Sequence, residues 1–195
     1  MTSAEQTQRA ATPSPFATWR TRDIIVTAVI GVVFGVVFFA WNGFYAGLGW
    51  LTPPLADLAY GVWLVPAVLA PLIVRRPGAA LFAEMAAAGV SAVLGSPWGP
   101  DVLLSGFVQG AAAELVFAFM GYGRWSILIL GVAALASAAG AWVHDWVVWY
   151  PTAAIELQVA RLAVMAVSAV GIAAFGSFVL ERSLRRAGVL GGFGA

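Results

Sequence analysis

The chain is predicted to fold as an all-α integral membrane protein of six transmembrane helices with both termini in the cytoplasm. Three observations carry that prediction. Of its 195 residues 62% are hydrophobic and only 10% are charged, with a mean hydropathy of +0.91, whereas a soluble domain carries about 25% charge. Apolar segments recur at close to the 20-residue length that crosses a bilayer. Arginines gather at every second boundary between them.

The first segment runs from Ile24 to Trp41, too long for a signal peptide and without a small-residue cleavage pattern. The second covers Leu58 to Val74, with Pro66 and Pro71 expected to bend it. The third spans Gly78 to Gly95, the fourth Val102 to Gly121, the fifth Trp125 to Val143 or slightly beyond, and the sixth Leu162 to Leu180 with a few preceding residues. Residues 1–22 are expected to be a disordered cytoplasmic segment, 23–182 the six-helix membrane domain, and 183–195 a cytoplasmic tail. With both termini inside, nine of the ten arginines lie in the cytoplasm and only Arg161 outside, as the positive-inside rule requires. The outer face holds Asp57, Asp101, Asp145 and Glu156. No inverted repeat is evident, so a two-fold transporter within one chain is not supported.

Several functions are excluded. A net charge of +1 lacks the basic face that nucleic acid needs. Cysteine is absent and His144 is the single histidine, which removes thiol chemistry and excludes cysteine and multi-histidine metal sites, so no metal is expected. No P-loop, kinase signature or nucleophile elbow is present, so the chain cannot use ATP by itself, and no cofactor is expected.

Two lone carboxylates, Glu84 and Glu114, stand inside membrane-length apolar runs, where a charge costs at least about 2.5 kcal/mol unless it is paired. Helices three and four form a hairpin through Ser96-Pro97-Trp98-Gly99-Pro100. Glu84 lies 14 residues before Trp98 and Glu114 lies 16 after it, which predicts similar depths about 20 Å below the turn. The two can share a proton, flank an amino-bearing ligand, or hydrogen-bond to neighbouring helices as packing glue. Gln109, five residues before Glu114, points about 140° away from it.

At the outer end of helix five, Trp142, Asp145, Trp146 and Trp149 fall on one helical stripe. Indole faces there can stack on a flat heterocycle or attract a cation. For Trp149 and Tyr150 an interfacial belt is the preferred reading, while Trp142 and His144 sit deep enough to line a pocket. Between helices one and two, Asn42 to Ala56 reads NGFYAGLGWLTPPLA, an outer loop that can be a lid, a re-entrant piece or an aromatic anchor. On helix one, Thr27, Gly31 and Gly35 clear one face for a close helix contact in lipid, a candidate docking surface.

Four stretches, TRDIIVTAVIGVVFGVVF, FAEM, GSPWG and QGAAAELVFAFMGYGRW, resemble the YkoE family, substrate-binding (S) components of energy-coupling-factor (ECF) vitamin transporters. The resemblance extends from Trp19 to Arg186. It implies an S-component-like bundle in a bacterial cell membrane that captures thiamin or a hydroxymethylpyrimidine-type precursor from outside. It also implies partnership with a transmembrane coupling subunit and two cytosolic ATPases, and toppling within the bilayer to release cargo. Relatives dock through small residues of helix one, so the resemblance assigns docking to Thr27, Gly31 and Gly35.

The binding residues are assigned on physical placement. Glu84 and Glu114 are expected as polar anchors for an aminopyrimidine edge, Trp142 and Trp146 as stacking groups, and His144 and Gln109 as orienting groups. Trp41, Asn42, Tyr45 and Trp50 are expected in the lid. Two alternatives stay open: a self-sufficient proton-coupled transporter with the paired glutamates as relay, and a small membrane enzyme acting on lipid.

Overall fold

A computed structural model of the chain describes residues 18–48 and 52–191. Among them are six long helices and no strand: α1 Thr21–Gly47, α2 Pro53–Val74, α3 Ala79–Val93, α4 Asp101–Phe119, α5 Ile127–Val148 and α6 Ile155–Arg186. Five are long and apolar enough to cross a membrane. The exception is α3, with 15 residues where a full span from Gly78 to Gly95 was expected. Both of those glycines adopt left-handed φ, 86° and 91°, a conformation that ends a helix.

Helix α2 is the central element. Of its apolar window 78% is buried, against 22% for α1, so the other helices wrap it and present their outer faces to lipid. Its winding is irregular. Asp57–Leu64 is a 3₁₀ stretch, and the α-helix proper starts at Val65 with Pro66 in the first turn, where its missing N–H costs nothing. Helix α6 is irregular in the same region, with a π segment over Ala169–Gly176. The two meet at Ser168, whose Oγ accepts the Gly61 amide at 2.8 Å and donates to the Leu58 carbonyl at 2.7 Å.

Small residues set the packing on the other side. Thr27, Gly31 and Gly35 are buried, and a Cβ built on Gly31 would stand 2.4 Å from Ala86 Cβ. One on Gly35 would stand 2.4 Å from Val90 Cβ. The small face of α1 is therefore filled by α3. This corrects the docking role expected for those three residues, because a face occupied by the chain's own helix offers no surface to a partner.

The outer connection also departs from expectation. Helix α1 continues through Asn42 and Tyr45 to Gly47, and helix resumes at Pro53. A loop beginning at Asn42 is replaced by an extra turn and a half of helix, because Asn42 and Tyr45 both find partners on neighbouring elements.

A polar cavity with an aromatic wall

Between the helices, at the end away from the arginine-rich turns, lies a cavity of about 230 Å³. Glu84 forms its deep pole. The side chain is 1% exposed, and its Oε2 accepts the Ala67 amide at 3.1 Å. Ala67 is in the first turn of the α-helical part of α2, where amides have no partner within the helix. A carboxylate there also meets the positive end of the helix dipole. Among the described residues Oε1 accepts no hydrogen bond, and it belongs to a residue that lines the cavity.

Gln109 lies alongside. Its Nε2 donates to Ser105 Oγ at 2.6 Å, which leaves its side-chain carbonyl as a second acceptor in the lining.

The walls are aromatic. Tyr45, Tyr60 and Trp63 pack edge to face, with centroid distances of 4.7 Å for Tyr45–Trp63 and 5.1 Å for Tyr60–Trp63. Trp98 extends the row to Trp149 at 5.6 Å. Asn42 fixes one corner: its Oδ1 accepts from Trp63 Nε1 at 2.9 Å, and its Nδ2 donates to Ser91 and Ser96. Tyr150 closes the outer edge, and burial pushes its phenol above the ordinary value, so it stays protonated.

A continuous polar chain backs this row, joined to it through Tyr45, Tyr60 and Trp149. Tyr45 donates to Asp57 Oδ1 at 3.0 Å, and Arg161 Nε donates to Asp57 Oδ2 at 2.8 Å. Arg161 Nη2 donates to Asp145 Oδ2 at 3.1 Å. Asp145 Oδ1 lies 3.2 Å from His144 Nδ1, and His144 Nε2 lies 3.1 Å from Asp101 Oδ1. Five of the six helices contribute, and α3 joins through Ser91 and Asn42. Arg161 and Asp57 are 1% and 0% exposed. Charges so far from water are tolerable only when paired.

Of the expected site residues, the structure brings Glu84, Gln109, His144, Asn42 and Tyr45 to the cavity lining. Trp142 and Trp146 turn away. Trp142 Nε1 donates to the Gln158 carbonyl of α6 at 2.9 Å, and Trp146 packs on Trp142 at 4.9 Å. Trp149 and Tyr150, expected as belt residues, line the cavity instead. Trp41 faces sideways, donating to the Ala59 carbonyl at 3.0 Å and packing on Phe44. Trp50 lies outside the described residues.

Glu114 is placed elsewhere. Its Oε1 accepts the Gly78 amide at 2.6 Å and Tyr122 Oη at 2.7 Å, and its Oε2 accepts the Ala80 amide at 2.9 Å. It thus caps the amino end of α3. Burial, then the Glu114 charge, pushes the Tyr122 phenol above its ordinary value, which keeps it a donor.

The expected equality of depth fails because residues 94–97 belong to the turn. Glu84 is nine residues from the α3 end at Val93, whereas Glu114 is thirteen from the α4 start at Asp101. Four residues amount to about 6 Å. The backbone agrees, since a Cβ on Gly110 would stand 3.0 Å from Glu84 Cβ and Glu114 is one turn further on. The paired glutamates on which a proton-relay reading depended are not a pair.

Comparison with known proteins places this geometry in a transport family. Residues 22–141 match the family described as ABC-type cobalt transport system, permease component. The protein named "Putative HMP/thiamine permease protein YkoE" of Bacillus subtilis (strain 168) is 32% identical over 176 residues, 89% of this chain and 88% of its own. A crystal structure of an S-component of an ECF transporter superimposes with a TM-score of 0.88 at 31% identity, covering 91% of each chain.

Proposed function

The chain belongs to the YkoE family of ECF S components and also matches the family of ABC-type cobalt transport permease components, and from this membership we propose that its cavity captures thiamin or a hydroxymethylpyrimidine-type precursor. It is a substrate-binding transport component and not an enzyme.

One observation carries the substrate reading: an unshared carboxylate oxygen, Glu84 Oε1, in a cavity of aromatic walls. An aminopyrimidine offers an exocyclic amine and a flat ring. The amine suits an acceptor, and the ring suits indole and phenol edges at about 4.5–7 Å. Gln109 supplies a second acceptor and His144, held between Asp101 and Asp145, a polar edge.

Thiamin adds a fixed positive charge, which the aromatic rings and the Glu84, Asp101 and Asp145 carboxylates of the lining favour. Cobalt as cargo fits the residues poorly. Among the described residues no group of three His, Cys, Asp or Glu side chains could hold a metal ion, and the chain has one histidine and no cysteine.

In the membrane the arginine-rich end faces the cytoplasm and the cavity end faces outside, in line with the positive-inside rule. Energy then comes from a transmembrane coupling subunit and two cytosolic ATPases. The test is a titration of the purified chain with thiamin and with hydroxymethylpyrimidine, followed by quenching of its nine tryptophans. Saturable quenching by either compound supports the reading, and none by both contradicts it.

A further inference from the structure

The charged wall converges on Arg161. Its guanidinium engages two aspartates on two other helices, Asp57 at 2.8 Å and Asp145 at 3.1 Å, and stacks 4.0 Å from the Tyr150 ring. Each of those carboxylates in turn holds a group that lines the cavity. Tyr45 donates to Asp57 at 3.0 Å, Tyr60 donates to Asp145 at 3.3 Å, and His144 Nδ1 lies 3.2 Å from Asp145. Arg161 Nη1 is buried and has no hydrogen-bond partner, so the cation is fixed by its other two nitrogens and by stacking.

We propose that Arg161 is a positioning residue of the binding site: an internal cation that holds Asp57 and Asp145 together and thereby aims Tyr45, Tyr60 and His144 at the guest. This rests on the reading of the cavity as a substrate site. The physical case is geometric. Two carboxylates facing each other across a cleft repel unless a cation stands between them. A planar guanidinium serves both at once with separate N–H groups, which the single ammonium of lysine does not reproduce. Tyr45 and Tyr60 are tied to those carboxylates through their hydroxyls, so a shift of either aspartate moves the wall.

Truncation of such a group leaves a vacancy shaped for guanidinium, which a free guanidinium compound can refill. Refilling a brace needed only for folding would recover the thermal midpoint and leave affinity unmoved. The experiment compares the wild-type chain with Arg161→Ala and Arg161→Lys, each with and without millimolar ethylguanidinium or ethylammonium. Affinity for thiamin and hydroxymethylpyrimidine is read together with the thermal midpoint. Arg161→Ala is expected to weaken binding by about tenfold or more, with ethylguanidinium recovering most of the loss and ethylammonium none. Arg161→Lys is expected to stay weak. Wild-type affinity in Arg161→Ala, or recovery of the midpoint without recovery of affinity, overturns the proposal.

If Arg161→Ala does not fold, Asp57→Asn/Arg161→Gln removes opposite charges together and is expected to fold but to bind about tenfold more weakly. Wild-type affinity in that variant overturns the proposal. A wild-type chain that binds neither compound defeats the substrate reading alone. The wall is then read from near-ultraviolet circular dichroism, whose aromatic signal is expected to fall in Arg161→Ala and return with ethylguanidinium. An unchanged spectrum overturns the proposal.

Discussion

Glu84 Oε2 accepts the Ala67 amide at 3.1 Å, so a buried carboxylate of α3 sits where α2 changes from 3₁₀ to α-helical winding. The contact anchors the acid and leaves its second oxygen without a donor among the described residues. It also separates two roles that mutation can distinguish. Glu84→Gln retains an oxygen for the Ala67 amide but can present an NH₂ donor to the cavity. Its thermal midpoint is expected to stay near that of the wild type while affinity for an aminopyrimidine falls by about tenfold or more. Differential scanning fluorimetry and tryptophan quenching on the same sample read the two effects.

Glu114 should behave in the opposite way. With three donors at 2.6–2.9 Å and no place in the cavity, its loss strands amides at the start of α3. Glu114→Ala is expected to cost about 1–3 kcal/mol of stability, read as a lower midpoint. Affinity in the folded fraction should stay within about twofold, a difference of less than 0.5 kcal/mol.

Gly31 is predicted to matter to the isolated chain. Any side chain there runs into Ala86 at 2.4 Å, so Gly31→Leu forces α1 and α3 apart at a cost of about 1–3 kcal/mol. A lower midpoint for the protein purified without partners is the expected result. An unchanged midpoint with lost complex assembly would restore the docking role to this face.

The tryptophans give a contrast within one helix stripe. Trp149 lines the cavity beside Trp98 at 5.6 Å, while Trp142 is bonded to α6. Trp149→Ala is expected to weaken binding about three- to tenfold, the value of roughly 0.5–1.5 kcal/mol for an aromatic contact. Trp142→Phe should leave affinity unchanged, as measured by the same titration.

What was legible in the residues follows from what is local. Six apolar runs of bilayer length are a property of neighbouring residues, and all six helices are present, with ends displaced mainly where glycine or proline resets the backbone. Glu84 was legible because an acid in an apolar run has few uses. Glu114 looked equivalent because counting from Trp98 treats turn residues as helix and so halves an offset of about one helical turn. Trp142, Asp145, Trp146 and Trp149 share a helical spacing, but Asp145 and Trp149 line the cavity while Trp142 and Trp146 turn towards α6. That division between the cavity and α6 depends on where α6 packs, which no local pattern states. The Asp57–Arg161 pair spans 104 positions. Its one signal is a single arginine on a face otherwise carrying acids, and that pattern does not say which acid the arginine meets.

The most direct test of the central claim, that Glu84 grips the amine of an aminopyrimidine, is a thermodynamic cycle by calorimetry. Wild-type and Glu84→Gln chains are titrated with hydroxymethyl aminopyrimidine and with its analogue bearing hydrogen in place of the amine. In the wild type the analogue is expected to bind about tenfold more weakly or worse, and in Glu84→Gln the two compounds should bind alike, giving a coupling of about 1–2 kcal/mol. Equal losses on removing the amine in both proteins would mean that the two groups do not meet, and would contradict this account.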